Sequence, residues 1–156
     1  MSETNTPVTR RRFCAGACSA ASATLATIFS ACGGGSPTSP SGTASMLAVL
    51  SGRFAGSSVQ VNVAGSPLAD TGGVALIQSI AGVFLVSRTS TAAFTAIDAT
   101  CTHEGCTITG TDGAAYVCPC HGSRYNRNGQ VLAGPAKASL RQFPTTFADG
   151  VVTIAI

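Results

Sequence analysis

Tryptophan is absent from the 156 residues, aromatic side chains are limited to two Tyr and seven Phe, and charged residues make up only 10% of the chain. So little aromatic bulk beside so much Gly, Ala, Ser and Thr suits turns and thin β-layers better than long, heavily packed helices. Charge is scarce and badly placed for binding a polyanion. The formal net charge is +3, but Arg10, Arg11 and Arg12 lie near the N-terminus, and from residue 32 onward six basic residues face five acidic ones. That balance gives no basis for nucleic-acid binding. No repeat with a period of about 20 to 50 residues is visible. The length allows one folded unit with extensions.

The chain opens with a polar stretch, then three arginines, then "FCAGACSAASATLATIFSA" at residues 13–31 without a charge. This is the order of an export signal, and within it Cys14 and Cys18 read as small apolar residues. The segment "TRRRF" at residues 9–13 resembles a twin-arginine signal, which implies export of an already folded protein. The apolar run approaches the roughly 20 residues that span a bilayer, so a retained anchor is the alternative. Its end, "FSAC" before "GGGSPTSPSG", resembles a bacterial lipoprotein processing site, with Cys32 as the residue to be lipidated. Lipid or anchor would hold the domain at the extracytoplasmic side of a bacterial cytoplasmic membrane, and simple cleavage would release it to the periplasm. Residues 32–45 have the Gly, Ser and Pro content of a linker, which leaves residues 46–156 for the folded domain.

Beyond the linker, apolar residues alternate or form short runs at 46–50, 58–63, 73–80, 83–88, 93–100 and 151–156. These read as strands, with turn residues between them and no sustained helical period. The expected fold is all-β, a small antiparallel sandwich or barrel, with any functional loops leaving and rejoining the sheets.

Such loops have an evident candidate. Residues 101–125, "CTHEGCTITGTDGAAYVCPCHGSRY", hold four of the seven cysteines and both histidines. Each half of the window carries a close Cys and His pair, Cys101 with His103 and Cys118 with His121, plus one further cysteine, Cys106 or Cys120. Four soft ligands could hold a metal, and in an exported protein two remaining thiols would oxidise to a disulfide if the fold brings them together. Structural zinc is one reading, although its usual pairs are Cys with Cys and His with His, whereas each half here mixes the two. A framework of two disulfides is another, but it leaves both histidines without a role.

A third reading comes from resemblance. "CTHEGC" and "CPCHGS" resemble the two boxes of Rieske proteins, whose [2Fe-2S] cluster has two cysteines on one iron and two histidines on the other. The resemblance implies a Rieske-like antiparallel β-sandwich or barrel with a small cluster-binding loop subdomain at about residues 100–136. It makes Cys101 and Cys118 ligands of the inner iron and His103 and His121 ligands of the outer. Cys106 and Cys120 match the disulfide of the high-potential members. Ser123 and Tyr125 match positions whose hydroxyls donate to a bridging sulfide and a cysteine sulfur. "GPA" at 134–136 sits where the family has a proline-containing loop over the cluster.

The same resemblance implies one-electron transfer, with no site of its own for transforming a substrate. The partners would be redox proteins such as a c-type cytochrome or a larger oxidoreductase subunit, and a quinol-cytochrome c reductase complex is the second reading. Glu104 bears on that choice. The position between His and Gly is commonly Leu in quinol-oxidising members, so a carboxylate there disfavours a quinone. It is also expected to lower the cluster potential by opposing added negative charge.

Overall fold

The computed structural model describes residues 44–156. The readings of residues 1–43 as signal, anchor and linker, including lipidation at Cys32, lie outside the described residues. Among the described residues no helix is long and apolar enough to cross a membrane.

The centre of the domain is a sheet that buries both of its faces. It contains β2 (Val49–Ser51), β5 (Val74–Ser79), β6 (Gly82–Arg88), β7 (Phe94–Asp98) and β12 (Gln142–Phe143), in the order β12-β7-β6-β5-β2. Side chains alternate across a strand, so neighbouring residues serve different cores. Leu76, Leu85 and Ile97 are direct partners across β5, β6 and β7 and point into one core. Ala75, Ile77, Phe84, Val86 and Ala96 point into the other. This two-sided burial explains why "VALI" and "VFLV" are continuous apolar runs rather than alternating ones.

Against one face lies a four-stranded sheet with the order β13-β14-β4-β3, formed by β3 (Arg53–Ala55), β4 (Ser58–Asn62), β13 (Thr145–Ala148) and β14 (Val151–Ala155). Val59, Val61, Val152 and Ile154 fill the space between the two sheets. The chain passes from one sheet to the other at both edges, between β2 and β3 through Gly52 and between β12 and β13 through Pro144. A Cβ at Gly52 would lie 2.5 Å from Val59 Cγ1 and 2.8 Å from Ile77 Cγ2, one side chain from each sheet. Only glycine fits this corner.

The other face carries the smaller sheet, β1-β8-β9-β10-β11, made of β1 (Ser45–Met46), β8 (Gly110–Thr111), β9 (Tyr116–Val117), β10 (Arg124–Tyr125) and β11 (Val131–Ala133). Most of this subdomain is an excursion between β7 and β12, which are themselves neighbours in the central sheet. The Asp98 amide donates to the Arg141 carbonyl at 2.8 Å, so the excursion leaves and returns at one fixed point.

The all-β expectation holds. The strands expected at 58–63, 73–80, 93–100 and 151–156 are present with slightly shorter bounds, and the one expected at 83–88 begins one residue earlier, at Gly82. Two details differ. The strand expected at 46–50 is two strands in different sheets, β1 against β8 and β2 against β5. The β2–β5 pair is parallel in an otherwise antiparallel structure, because the connection crosses through β3 and β4 in the opposite sheet before returning.

Substituting Gly52→Ala is expected to lower the urea unfolding midpoint with an unchanged slope, at a cost of about 1–3 kcal/mol for overpacking a filled corner. Unchanged stability would contradict the close approach of the two sheets there.

Candidate metal centre

The two Cys and His boxes fold into the same loop. In the first, the Cys101 amide donates to the Cys106 carbonyl at 2.8 Å, and the Gly105 amide donates back to the Cys101 carbonyl at 2.9 Å. In the second, the Cys118 amide donates to the Ser123 carbonyl at 2.8 Å, and the Gly122 amide donates back to the Cys118 carbonyl at 3.0 Å. Both loops need a left-handed residue in fifth place, and glycine supplies it, with φ 75° at Gly105 and 70° at Gly122.

This shared geometry accounts for the unequal spacings. Cys101 and Cys118 hold the first place in their loops, whereas His103 is third and His121 is fourth. Facing each other, the loops still bring the imidazoles together, with ring centroids 5.0 Å apart and planes at 87°. Glu104 occupies in the first loop the place that His121 holds in the second. Cys106 and Cys120 form a disulfide across the pair, with Cα atoms 6.5 Å apart. The expected bridge is therefore present, and Cys101 and Cys118 are the free thiols among the described residues.

Burial separates the two pairs of candidate ligands. Cys101 and Cys118 are each 2% exposed, whereas the histidine side chains are 28% and 49% exposed at 103 and 121. One nitrogen of His103, Nδ1, is buried without a hydrogen-bond partner in the protein. Burial pushes the Cys101 thiol up, but hydrogen bonds from the Tyr125 hydroxyl, the His103 amide, the Cys118 thiol and the Ser123 hydroxyl outweigh it and favour the thiolate. At Cys118 burial prevails, and the thiol is raised.

Three further walls close the site. Tyr125 is fully buried, and its hydroxyl lies 3.3 Å from Cys101 Sγ. Burial, together with that contact to Cys101, raises its ionisation above the usual tyrosine value, so it stays protonated. Ser123 is fully buried and accepts from the Ala136 amide at 3.2 Å, which leaves its own proton to give. The "GPA" segment crosses directly over the second loop. A Cβ at Gly134, where φ is 94°, would stand 2.6 Å from Ser123 Cα.

Glu104 is 60% exposed, with carboxylate oxygens 3.9 Å from His103 Nε2 and 3.6 Å from His121 Nδ1. It lies in ion-pair range of both rings without a hydrogen bond to either. Every site residue expected in the described part of the chain thus falls within one cluster of loops. Sequence reasoning missed Thr102, whose hydroxyl meets Tyr125 Oη at 3.0 Å and donates to the Ala138 carbonyl at 2.6 Å. A Thr between two candidate ligands was the only signal available. Also unforeseen is the ion pair of Arg124 with Asp112. The Ala115 amide, foremost among several hydrogen bonds, and the Arg124 charge hold the Asp112 carboxyl below its usual range.

Two buried thiols, an unpartnered imidazole nitrogen and inward hydroxyl donors suit a metal group with mixed sulfur and nitrogen ligation. Comparison with known proteins agrees. The Rieske [2Fe-2S] domain family matches residues 52–144. The chain is 36% identical over 63 residues to the cytochrome b6-f complex iron-sulfur subunit of Chlorobaculum tepidum, which covers 40% of this chain and 35% of that protein. With the subunit of that name from a Prochlorococcus marinus strain it shares 33% identity over 102 residues, 58% of this chain and 57% of the relative. The chain therefore spans only part of the length of the curated relatives it matches. Among solved structures, the plasma membrane Rieske protein PetC3 of Synechocystis PCC 6803 superposes with a TM-score of 0.52 at 28% identity, covering 62% of this chain and 99% of that one.

Gly134→Ala is expected to destabilise the domain well beyond Gly56→Ala. Both positions have positive φ, but a Cβ at Gly56 meets nothing within 4 Å. The left-handed conformation alone costs roughly 1–2 kcal/mol, and the excess at Gly134 measures the contact with Ser123. Equal thermal shifts for the two variants would contradict that contact.

Proposed function

The chain belongs to the Rieske [2Fe-2S] family, and from that premise we propose that it is a one-electron carrier, tethered outside the cytoplasm, in which Cys101 and Cys118 hold the inner iron and His103 and His121 the outer. The observation that carries this reading is the pair of buried free thiols and the pair of adjacent imidazoles, their ring centroids 5.0 Å apart, that the twin loops supply. When bound, the [2Fe-2S] group accepts and releases one electron, at a potential that two neutral imidazoles raise above that of an all-thiolate site.

The surrounding residues prepare that site. Burial of Cys101 and Cys118 keeps water from the sulfur side. Tyr125 and Ser123 present hydroxyl protons toward sulfur, which stabilises added negative charge. The Cys106–Cys120 bond joins the two loops so that their separation does not depend on the metal group alone. His121, half exposed, offers a partner the shortest approach. The names of the relatives, cytochrome b6-f complex subunits, support a cytochrome-containing oxidoreductase complex as that partner.

Between a carrier that meets other redox proteins and a subunit that takes electrons from quinol, Glu104 favours the first. Its carboxylate stands beside both imidazoles at the exposed tip, where an apolar quinone would have to approach. The quinol-oxidising reading is supported by the same relatives and remains the second. The tether reading rests on residues 1–32, through the twin-arginine-like segment and Cys32.

The full chain, produced with iron and sulfide supplied, is expected to contain about two irons and to lose its visible colour partly on reduction. Each of Cys101→Ser and Cys118→Ser should abolish iron binding. A colourless protein holding zinc would overturn the reading. Film voltammetry of Glu104→Leu should give a midpoint higher on the order of tens of millivolts, small because an exposed charge is screened. An unchanged or lower midpoint would remove Glu104 from the tuning of the site.

A further inference from the structure

Counting protons around Tyr125 gives Thr102 a role of its own. Thr102 has one hydroxyl proton, and the Ala138 carbonyl, 2.6 Å away, claims it because a carbonyl oxygen can only accept. Toward Tyr125 Oη, 3.0 Å away, the Thr102 oxygen is therefore an acceptor. The Thr102 backbone amide donates to the same Tyr125 oxygen at 3.2 Å. Tyr125 likewise has one proton, and two acceptors lie within its reach, Cys101 Sγ at 3.3 Å and Thr102 Oγ1 at 3.0 Å.

We propose that Thr102 is a positioning residue that divides the Tyr125 hydroxyl proton between its own oxygen and the Cys101 sulfur. By doing so it holds the cluster potential below the value that an undivided Tyr125–Cys101 hydrogen bond would give. This inference rests on the cluster reading above.

Three features make the division effective. Tyr125 is 0% and Cys101 2% exposed, so water is kept from the Tyr125–Cys101 side of the division, whereas Thr102, the other acceptor, stands at the solvent edge. Oxygen is a stronger acceptor than a neutral thiol, and giving its own proton to Ala138 strengthens the Thr102 oxygen further. A thiolate bound to iron competes back, and it does so more strongly when the cluster is reduced and more negative. Reduction therefore draws the proton toward sulfur and away from Thr102. That shift in hydrogen bonding is part of what the potential measures. Because Ala138 sits just beyond the "GPA" segment, the loop over the site sets how firmly Thr102 competes.

A merely structural Thr102 predicts a different result from a proton-dividing one. Thr102→Val keeps the backbone amide and the branched shape but removes the oxygen, so the Tyr125 proton passes wholly to Cys101. The midpoint potential of the full, iron-loaded chain should rise, and the exchangeable-proton hyperfine coupling of the reduced protein should grow. Thr102→Ser, which keeps the oxygen, should restore the original potential. In a Tyr125→Phe background the Thr102→Val shift should vanish, since no proton is left to divide. A fall in potential, or the same shift in both backgrounds, overturns the role proposed for Thr102. Should valine prevent iron uptake, Thr102→Ala is expected to raise the potential in the same way, and a fall or no change overturns the proposal equally. An unsubstituted chain without a cluster overturns both this inference and the reading beneath it.

Discussion

Leu76, Leu85 and Ile97 stand in one row across three paired strands, and the ligand loops depend on that row. It forms the floor on which Cys101, Ile108, Tyr116, Cys118 and Tyr125 pack. The opposite face of the same strands packs against the four-stranded sheet through Ala75, Ile77, Phe84 and Val86. A loop subdomain of two- and three-residue strands has little stability of its own, since so few ladder bonds cannot offset the entropy of ordering the chain. Burial against a sheet fixed from behind supplies what those strands lack.

Placement then follows from two closures. The Asp98–Arg141 hydrogen bond returns the excursion to its point of departure, and the Cys106–Cys120 bond ties its two loops together. With both ends and the middle held, each loop needs only its glycine and two backbone hydrogen bonds to present its candidate ligands. The result is a graded site: buried sulfur on one side, half-exposed imidazole on the other, and a carboxylate at the rim. Hydroxyl donors near the sulfurs favour added negative charge, whereas Glu104 opposes it. These opposed influences act from different sides and through different media, one dry and one open to solvent.

The longer strands were legible from the residues because β4, β5, β6, β7 and β14 carry five to seven residues each, with apolar runs bounded by turns. The strands between 110 and 148 were not, since pairs such as Tyr116–Val117 and Arg124–Tyr125 are strands only because the tertiary fold lays them side by side. The division of 46–50 was hidden for a related reason. Leu47 is buried and Met46 is 74% exposed, yet both are apolar in the sequence, so nothing in the letters marks the change of sheet. At the site, residue types and spacing marked a metal or disulfide centre but left zinc, disulfide and iron-sulfur readings open, and the resemblance of the two boxes to those of Rieske proteins chose among them. The equivalence of the two loops and the part played by Thr102 were not, because both arise from backbone hydrogen bonds and contacts between residues far apart in sequence.

The most direct measurement uses the fact that the chain contains only two histidines, His103 and His121. Electron-nuclear double resonance on the reduced full chain, grown with isotope-labelled histidine, should reveal two strongly coupled histidine nitrogens, both on one iron of the cluster. A paramagnetic cluster with one such nitrogen or none would contradict the assignment of both imidazoles as ligands.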